Sequence, residues 1–280
     1  MKEKNIKKLC QMKIEERIKV ISEGLDILIE NVISINKSLQ KLQKVETIRG
    51  YKILKQISEE EAAKFLILID YIRCPSKRSE WQSRQLEYFY GHFVRCLYSE
   101  YCSTRPATWK EVCDWVETNR QSRYLDGLLG VEWIFRNELI DKREREIYVD
   151  YIEMDNKNIW TSPKKYEDID FEPWKLKSDI THLIILMQKC GFTKYKALKE
   201  IRDECAEFNL DPNTHWRKIE EKNLNTIKKL SAKGIVPNEI NENEISDILD
   251  RWYFPLYSLD LKIKKVNEKE LKEIQRKWRP

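Results

Sequence analysis

Charged side chains interrupt an otherwise apolar stretch at Glu60, Glu61, Lys64 and Asp70, between Ala62-Ala63 and Phe65-Leu66-Ile67-Leu68-Ile69. Ions removed from water cost several kcal/mol unless they are paired, so these groups must either pair with neighbouring elements or line a polar opening. Glu60 and Lys64 at i and i+4 have the favourable order for a helical ion pair worth roughly 0.2–0.5 kcal/mol, which gives those two a purely structural explanation. Asp70 shares a face with Ala63 and Ile67 and requires an ordered partner such as Arg73. His92, one of three histidines, follows Tyr88 and precedes Cys96 at helical spacing. One explanation is an imidazole satisfied by a nearby backbone group or carboxylate. The other is a general base or phosphate contact, with Arg84 or Arg95 stabilising an anion. The candidates for catalysis are therefore Glu61, Arg84, His92 and Arg95, and for binding Glu60, Lys64 and Asp70.

Two further constellations suit a polyanion. Arg136, Arg143 and Arg145 with Trp133 and Tyr148 form the densest mixture of arginine and aromatic residues, a combination that can stack bases and contact phosphate. Lys194 and Lys196 open a segment with Lys199 and Arg202 outside and Ala197, Leu198 and Ile201 inside, as in a DNA-binding helix. The structural alternative for both is a salt-bridged surface, given Glu138, Glu144 and Glu146 near the first set. Phosphate-loop, dinucleotide, zincin and serine-hydrolase motifs are absent from the sequence, so no cofactor is expected. His92, Cys96 and Cys102 have metal-ligating types, but zinc needs four convergent ligands, and no metal site is assigned.

Helices must position these residues. Ile14, Ile18, Ile21, Leu25, Leu28, Val32, Ile35, Leu39 and Leu42 recur at alternating steps of four and three, the pattern of a long helix with a coiled-coil seam. Ile27, Ile29 and Ile33 widen the stripe, which suits a bundle better than an exposed zipper. Gly50 suggests a break, and Ser58 with Glu61 a capping box that opens the next helix; Cys74-Pro75 closes it. A third helix is expected over Ser79 to Tyr101, a fourth capped by Thr108 and Glu111, a turn at Asp126-Gly127 and Gly130, and a fifth over Val131 to Glu146. Alternation in Tyr148 to Glu153, with Ile159-Trp160-Thr161 beyond, predicts a hairpin. The aperiodic stretch Ser162 to Trp174 is expected as a linker. Beyond it come helices over Ile180 to Cys190, Lys194 to Phe208 capped by Thr193, Thr214 to Ala232, Glu239 to Trp252 and Glu268 to Trp278. The fold class is mainly α: a helical bundle over residues 1–161 ending in a small β-hairpin, a linker at 162–174, and a smaller helical part over 175–280.

Composition agrees, with 35% charged and 41% hydrophobic residues but only 7 glycines and 8 prolines, as in a helix-rich globular protein. The longest apolar runs fall far short of the roughly 20 residues that cross a bilayer, so no membrane partner is expected. Seven scattered cysteines without a Cys-x-x-Cys pair suit thiols in a reducing cytoplasm. A formal net charge of +5 permits nucleic-acid binding without arguing for it.

Glu60-Glu61-Ala62-Ala63-Lys64 with its aliphatic continuation, followed by His92, resembles the Glu-Glu-x-x-Lys helix and later histidine of abortive-infection AbiV-type proteins, which are grouped with the HEPN helical bundles. The resemblance covers roughly Ser58 to Tyr101. It implies antiviral defence, a bundle that is often a homodimer, and action on RNA or nucleotides, with metal-independent RNA cleavage as the enzymatic form. The HEPN ribonucleases carry Arg-x4-6-His, and this chain departs from that pattern: seven residues separate Arg84 from His92. A non-enzymatic protein that grips a protein partner is the alternative, and DNA binding through the C-terminal helices a third.

Overall fold

The computed structural model describes residues 2–44, 48–125, 133–154, 157–163, 178–206 and 210–278. Among them the protein is a mainly α-helical bundle with two small antiparallel strand pairs. Helix α1 (Lys2–Lys7) and a 3-10 turn (Lys8–Gln11) lead into the long α2 (Ile14–Lys44). Arg17 latches the corner by donating to the carbonyls of Cys10 and Met12, each at 2.9 Å. The predicted seam faces inward: Ile18, Ile21, Leu25, Leu28, Val32 and Leu39 are buried, as is Ile29, whereas Ile14 and Ile27 are exposed.

Helix α3 (Ile48–Arg73) returns antiparallel along α2. Asn31 Nδ2 donates to Glu61 Oε2 at 3.2 Å and Ser58 Oγ to Asn36 Oδ1 at 2.8 Å, which fixes the register. Helix α3 therefore does not begin at Ser58, nor break at Gly50: Ser58 is buried mid-helix, and its hydroxyl finds a partner on α2 instead of capping. The turns before Ser58 run alongside α2, and the Ser58 hydroxyl, engaged by Asn36, does not end them.

The single helix expected over Ser79 to Tyr101 is two, α4 (Ser79–Tyr88) and α5 (His92–Tyr101). Gly91, extended at φ −77° and ψ 115°, is the N-cap of α5, and His92 is thereby its first residue. Glycine is tolerated at an N-cap and disfavoured within a helix; aromatic residues at helical spacing on both sides hid the junction. Helix α6 (Trp109–Asn119) starts as predicted, with Thr108 accepting from the Glu111 amide. The helix expected over Val131 to Glu146 is shorter: strand β1 (Tyr124–Leu125) pairs with β2 (Trp133–Ile134), and α7 spans Glu138–Ile147. Asn137 caps α7 and donates to the carbonyls of Asn119 and Gln121 at 2.7 and 3.0 Å. The turn predicted at 126–130 lies outside the described residues.

The predicted hairpin is formed by β3 (Asp150–Met154) and β4 (Lys157–Thr161), in the register Asp150↔Thr161 and Tyr151↔Trp160. Helix α8 (Asp179–Lys189) ends at Gly191, whose φ of +77° and neighbouring Ile235 carbonyl leave no room for a side chain. The Phe192 amide donates to the Met187 carbonyl at 3.0 Å and that of Gly191 to Gln188 at 2.8 Å, a Schellman closure. Helix α9 (Tyr195–Cys205) takes Lys194 as N-cap, not Thr193; the Thr193 carbonyl is occupied by Ser22 Oγ of α2. Helices α10 (Trp216–Ala232), α11 (Glu242–Leu249) and α12 (Glu268–Trp278) complete the chain.

The two-part division is not visible in the packing. Buried residues on both sides of 162–174 join one hydrophobic cluster, with α8 and α9 packed on α2 and α3; residues 164–174 themselves lie outside the described set. An irregular strap over 252–266 crosses α3, α4 and α5, and side chains of those helices satisfy its polar backbone. Tyr101 donates to the Phe254 carbonyl at 3.3 Å, Tyr88 to Leu259 at 3.2 Å, and Arg84 to Ser258 at 2.8 Å. No helix among the described residues is long and apolar enough to cross a membrane.

Candidate functional site

Helices α3, α5 and α7 bring together Glu60, His92, Arg95 and Arg143. The Glu60 side chain is 7% exposed and lies against three partners: His92 Nδ1 at 2.8 Å and Arg95 Nη1 at 3.2 Å, both on Oε2, and Arg143 Nε at 2.6 Å on Oε1. Burial alone would raise the Glu60 carboxyl, but the bonds from Arg143 and His92 and the charges of Arg143 and Arg95 hold it below its ordinary value. An ionised Glu60 makes His92 Nδ1 the donor. The His92 side chain is 53% exposed, and with Nδ1 turned to Glu60 the ring nitrogen left for a substrate is Nε2.

The position of His92 follows from the backbone. As the first residue of α5, it projects beside the helix start, while Arg95 one turn on folds back over it. Arg95 donates to the Tyr90 carbonyl at 2.9 Å and to that of Gly91 at 3.4 Å, so its guanidinium is held by Glu60 and backbone together. Arg143 also hydrogen-bonds Tyr148, an exposed residue just before the hairpin. Burial, with Glu60 close by, pushes the Cys96 thiol up to about 12; it is a neutral wall at neutral pH and not a nucleophile.

The other sequence candidates are placed elsewhere. Glu61 points to α2, where it pairs with Lys64 and accepts from Asn31. The Glu60–Lys64 pair therefore does not form, and Lys64 lies 5.5 Å from the centre of the Phe89 ring. Arg84 is taken by the carbonyls of Tyr257 and Ser258, at 3.4 and 2.8 Å, and its hydrogen bonds hold the strap. Asp70 is buried with Arg73 Nη1 at 3.3 Å, Tyr98 Oη at 2.7 Å and the Leu256 amide at 2.8 Å. Burial raises its carboxyl, and these three donors oppose the rise. Arg136 bridges Asp141 at 3.0 Å and Asp150 at 2.8 Å, joining α7 to the hairpin. Lys194 Nζ donates to the Ile235 carbonyl at 3.3 Å, and Lys196 stands exposed on α9. His182 pairs with Asp247 at 3.1 Å, and His215 caps α10. Among the described residues no group of three or more His, Cys, Asp or Glu side chains is arranged to hold a metal ion.

Arg143 is the member of the cluster that the sequence hid. It was visible as part of an arginine-rich, aromatic segment, but nothing in the spacing joined it to Glu60, 83 positions away. The class that fold and site define is thus a mainly α-helical protein with an exposed histidine backed by a buried glutamate and two arginines. Comparison of the chain with protein-family models, curated proteins and solved structures gives no significant match.

Proposed function

We propose that the protein acts on RNA as a defence or toxin-type effector, and that His92 carries the proton transfer in a metal-independent cleavage. What supports this reading is the pairing of an exposed imidazole with a fixed, ionised carboxylate at Nδ1, the base-and-orienter arrangement that activates a hydroxyl. In the proposed step Nε2 takes the proton of an RNA 2′-hydroxyl. The 2′-oxygen bonds to the adjacent phosphorus, the bond from phosphorus to the 5′-oxygen breaks, and that oxygen takes the proton back from the His92 imidazolium. The products are a 2′,3′-cyclic phosphate and a 5′-hydroxyl end. Arg143, which shares Glu60 with His92, stabilises the phosphorane charge; Arg95 keeps Glu60 in place.

The test is incubation of total RNA with wild type and with His92→Ala. The expected result is loss of at least ~100-fold in rate, the lower range for a general base, with cyclic-phosphate ends in the wild-type products. Equal cleavage by both proteins, or none by either, would remove His92 from the chemistry. A second reading, a non-enzymatic interaction protein, rests on the outward face of the hairpin. There Tyr151 and Trp160, 5.0 Å apart at their ring centres, stand exposed beside Val149. If that reading governs, Trp160→Ser would abolish self-association in sedimentation or pull-down of a partner, with RNA left intact by every variant.

A further inference from the structure

The charge of the chain is not spread evenly. Residues 37–55 hold Lys37, Lys41, Lys44, Arg49, Lys52 and Lys55 against the single carboxylate Glu46, a net +5 that equals the formal charge of the whole chain. All other residues together are neutral. Lys37 and Lys41 stand toward the end of α2, and Arg49 and Lys52 in the opening turns of α3. Lys37 and Lys41 are one turn apart on α2, and Arg49 and Lys52 one turn apart on α3. The bonds Asn31–Glu61 and Ser58–Asn36 set an antiparallel register in which Lys41 lies level with Lys52. The two stripes therefore face the same end of the helix pair.

Lys37, Lys41 and Arg49 are exposed, and among the described residues neither they nor Lys52 has a carboxylate within salt-bridge distance; Lys55 pairs with Glu59 at 3.2 Å. The contrast with α9 and α10 is sharp, because Lys229 and Lys233 there are paired with Glu204 and Glu200. Lys41 in the last turn of α2 suits the negative end of that helix, whereas Arg49 and Lys52 in the opening turns of α3 face its positive end with no acidic residue in the first turn, so the fold gains nothing from that second pair. Arg49 also shares a stripe of α3 with Glu60: eleven positions separate them, three turns and about 16 Å of helix. A chain of phosphates seated on these cations would continue along α3 toward His92.

We infer that Lys37 and Lys41 of α2 with Arg49 and Lys52 of α3, called the tip below, form the docking surface for a single-stranded RNA backbone, which they deliver to the His92 site. The inference rests on the RNA reading above and adds the residues that hold the strand. Charge complementarity identifies the occupant, and a polyanion with evenly spaced phosphates matches cations one helical turn apart. Neutralising phosphates releases counterions, so affinity must depend steeply on salt.

The experiment measures fluorescence anisotropy of a short labelled single-stranded RNA with full-length His92→Ala protein, so that the strand survives. With four phosphate contacts, raising salt from about 50 to 200 mM weakens binding ~50-fold. Adding Lys37→Glu/Lys41→Glu weakens it at least ~10-fold and lowers the salt slope by ~1.4. Adding Lys218→Glu/Lys228→Glu, both exposed on α10, instead leaves both unchanged. Thermal unfolding checks that the exposed substitutions leave the fold intact. No binding at about 50 mM salt, equal losses in the two charge variants, or binding to phosphatidylserine vesicles but not to RNA overturns the inference. Binding as described with no cleavage by wild type removes the nuclease reading and keeps the tip. Cleavage undiminished by Lys37→Glu/Lys41→Glu in a protein with intact His92 removes the tip and keeps the nuclease.

Discussion

Helix α3 buries two carboxylates, Glu60 and Asp70, to the same degree and with opposite outcomes. Both side chains are 7% exposed, and each touches arginine. The remaining partners of Asp70 are the Tyr98 hydroxyl and the Leu256 amide, both sealed inside. Arg73 continues to the Tyr253 carbonyl at 3.1 Å and lies 4.8 Å from the centre of the Trp252 ring. That cluster is a clasp for the strap. The remaining partner of Glu60 is an imidazole more than half exposed. The comparison teaches that burial of a charge does not distinguish structure from function; the route from that charge to solvent does.

Four measurements can break or sharpen this contrast. The largest effect is expected at the sealed cluster. Asp70→Ala leaves Arg73 buried without a carboxylate and releases the Leu256 amide, and should cost about 3–5 kcal/mol in urea unfolding. A loss under ~1 kcal/mol would show that the strap holds without its clasp. Glu60→Gln leaves the largely buried Arg95 and Arg143 with a neutral amide in place of the carboxylate, and should cost about 2 kcal/mol, near the value for a hydrogen bond to a charged group. It should also lower any RNA cleavage, because His92 loses its orienter; unchanged cleavage would separate Glu60 from the chemistry.

The pH dependence follows from the lowered Glu60 carboxyl. Its stabilising contribution is complete above the ordinary value of 4.5 and is lost as pH falls through its lower folded value. The stability difference between wild type and Glu60→Gln should therefore shrink as pH drops below 4.5. A difference that stays constant to pH 3 or below would mean that Glu60 gains nothing from its cations. The smallest effect belongs to the exposed member. His92→Ala should change stability by less than about 0.5 kcal/mol, although it is the variant expected to abolish catalysis. A large loss of stability there would turn the cluster into a second clasp.

Element type was legible wherever one helix face or one strand face dominates. The inward stripe of α2, the Thr108 cap, the alternation of β3 and β4 and the glycine after α8 were all local patterns with local causes. Boundaries failed where a tertiary surface outweighed a cap signal. Ser58 carries every mark of an N-cap, yet lies mid-helix with its hydroxyl given to an acceptor on α2, Asn36. Glu60, His92 and Arg95 could be named from the chain because they sit in or near unusual apolar surroundings, whereas Arg84 was chosen for its nearness to His92 in sequence and is used by the strap.

Residue types and their periodicity thus determined by themselves that this is a mainly helical bundle, that Asp70 needs a cation, and that His92 stands near the charged stretch of α3. Only the tertiary structure decided which carboxylate meets the imidazole, that Arg143 completes the cluster, and that Arg84 does not. The physical reason is range: helical spacing fixes neighbours within a turn or two, whereas a buried ion takes its partner from whichever helix the packing of the core brings alongside.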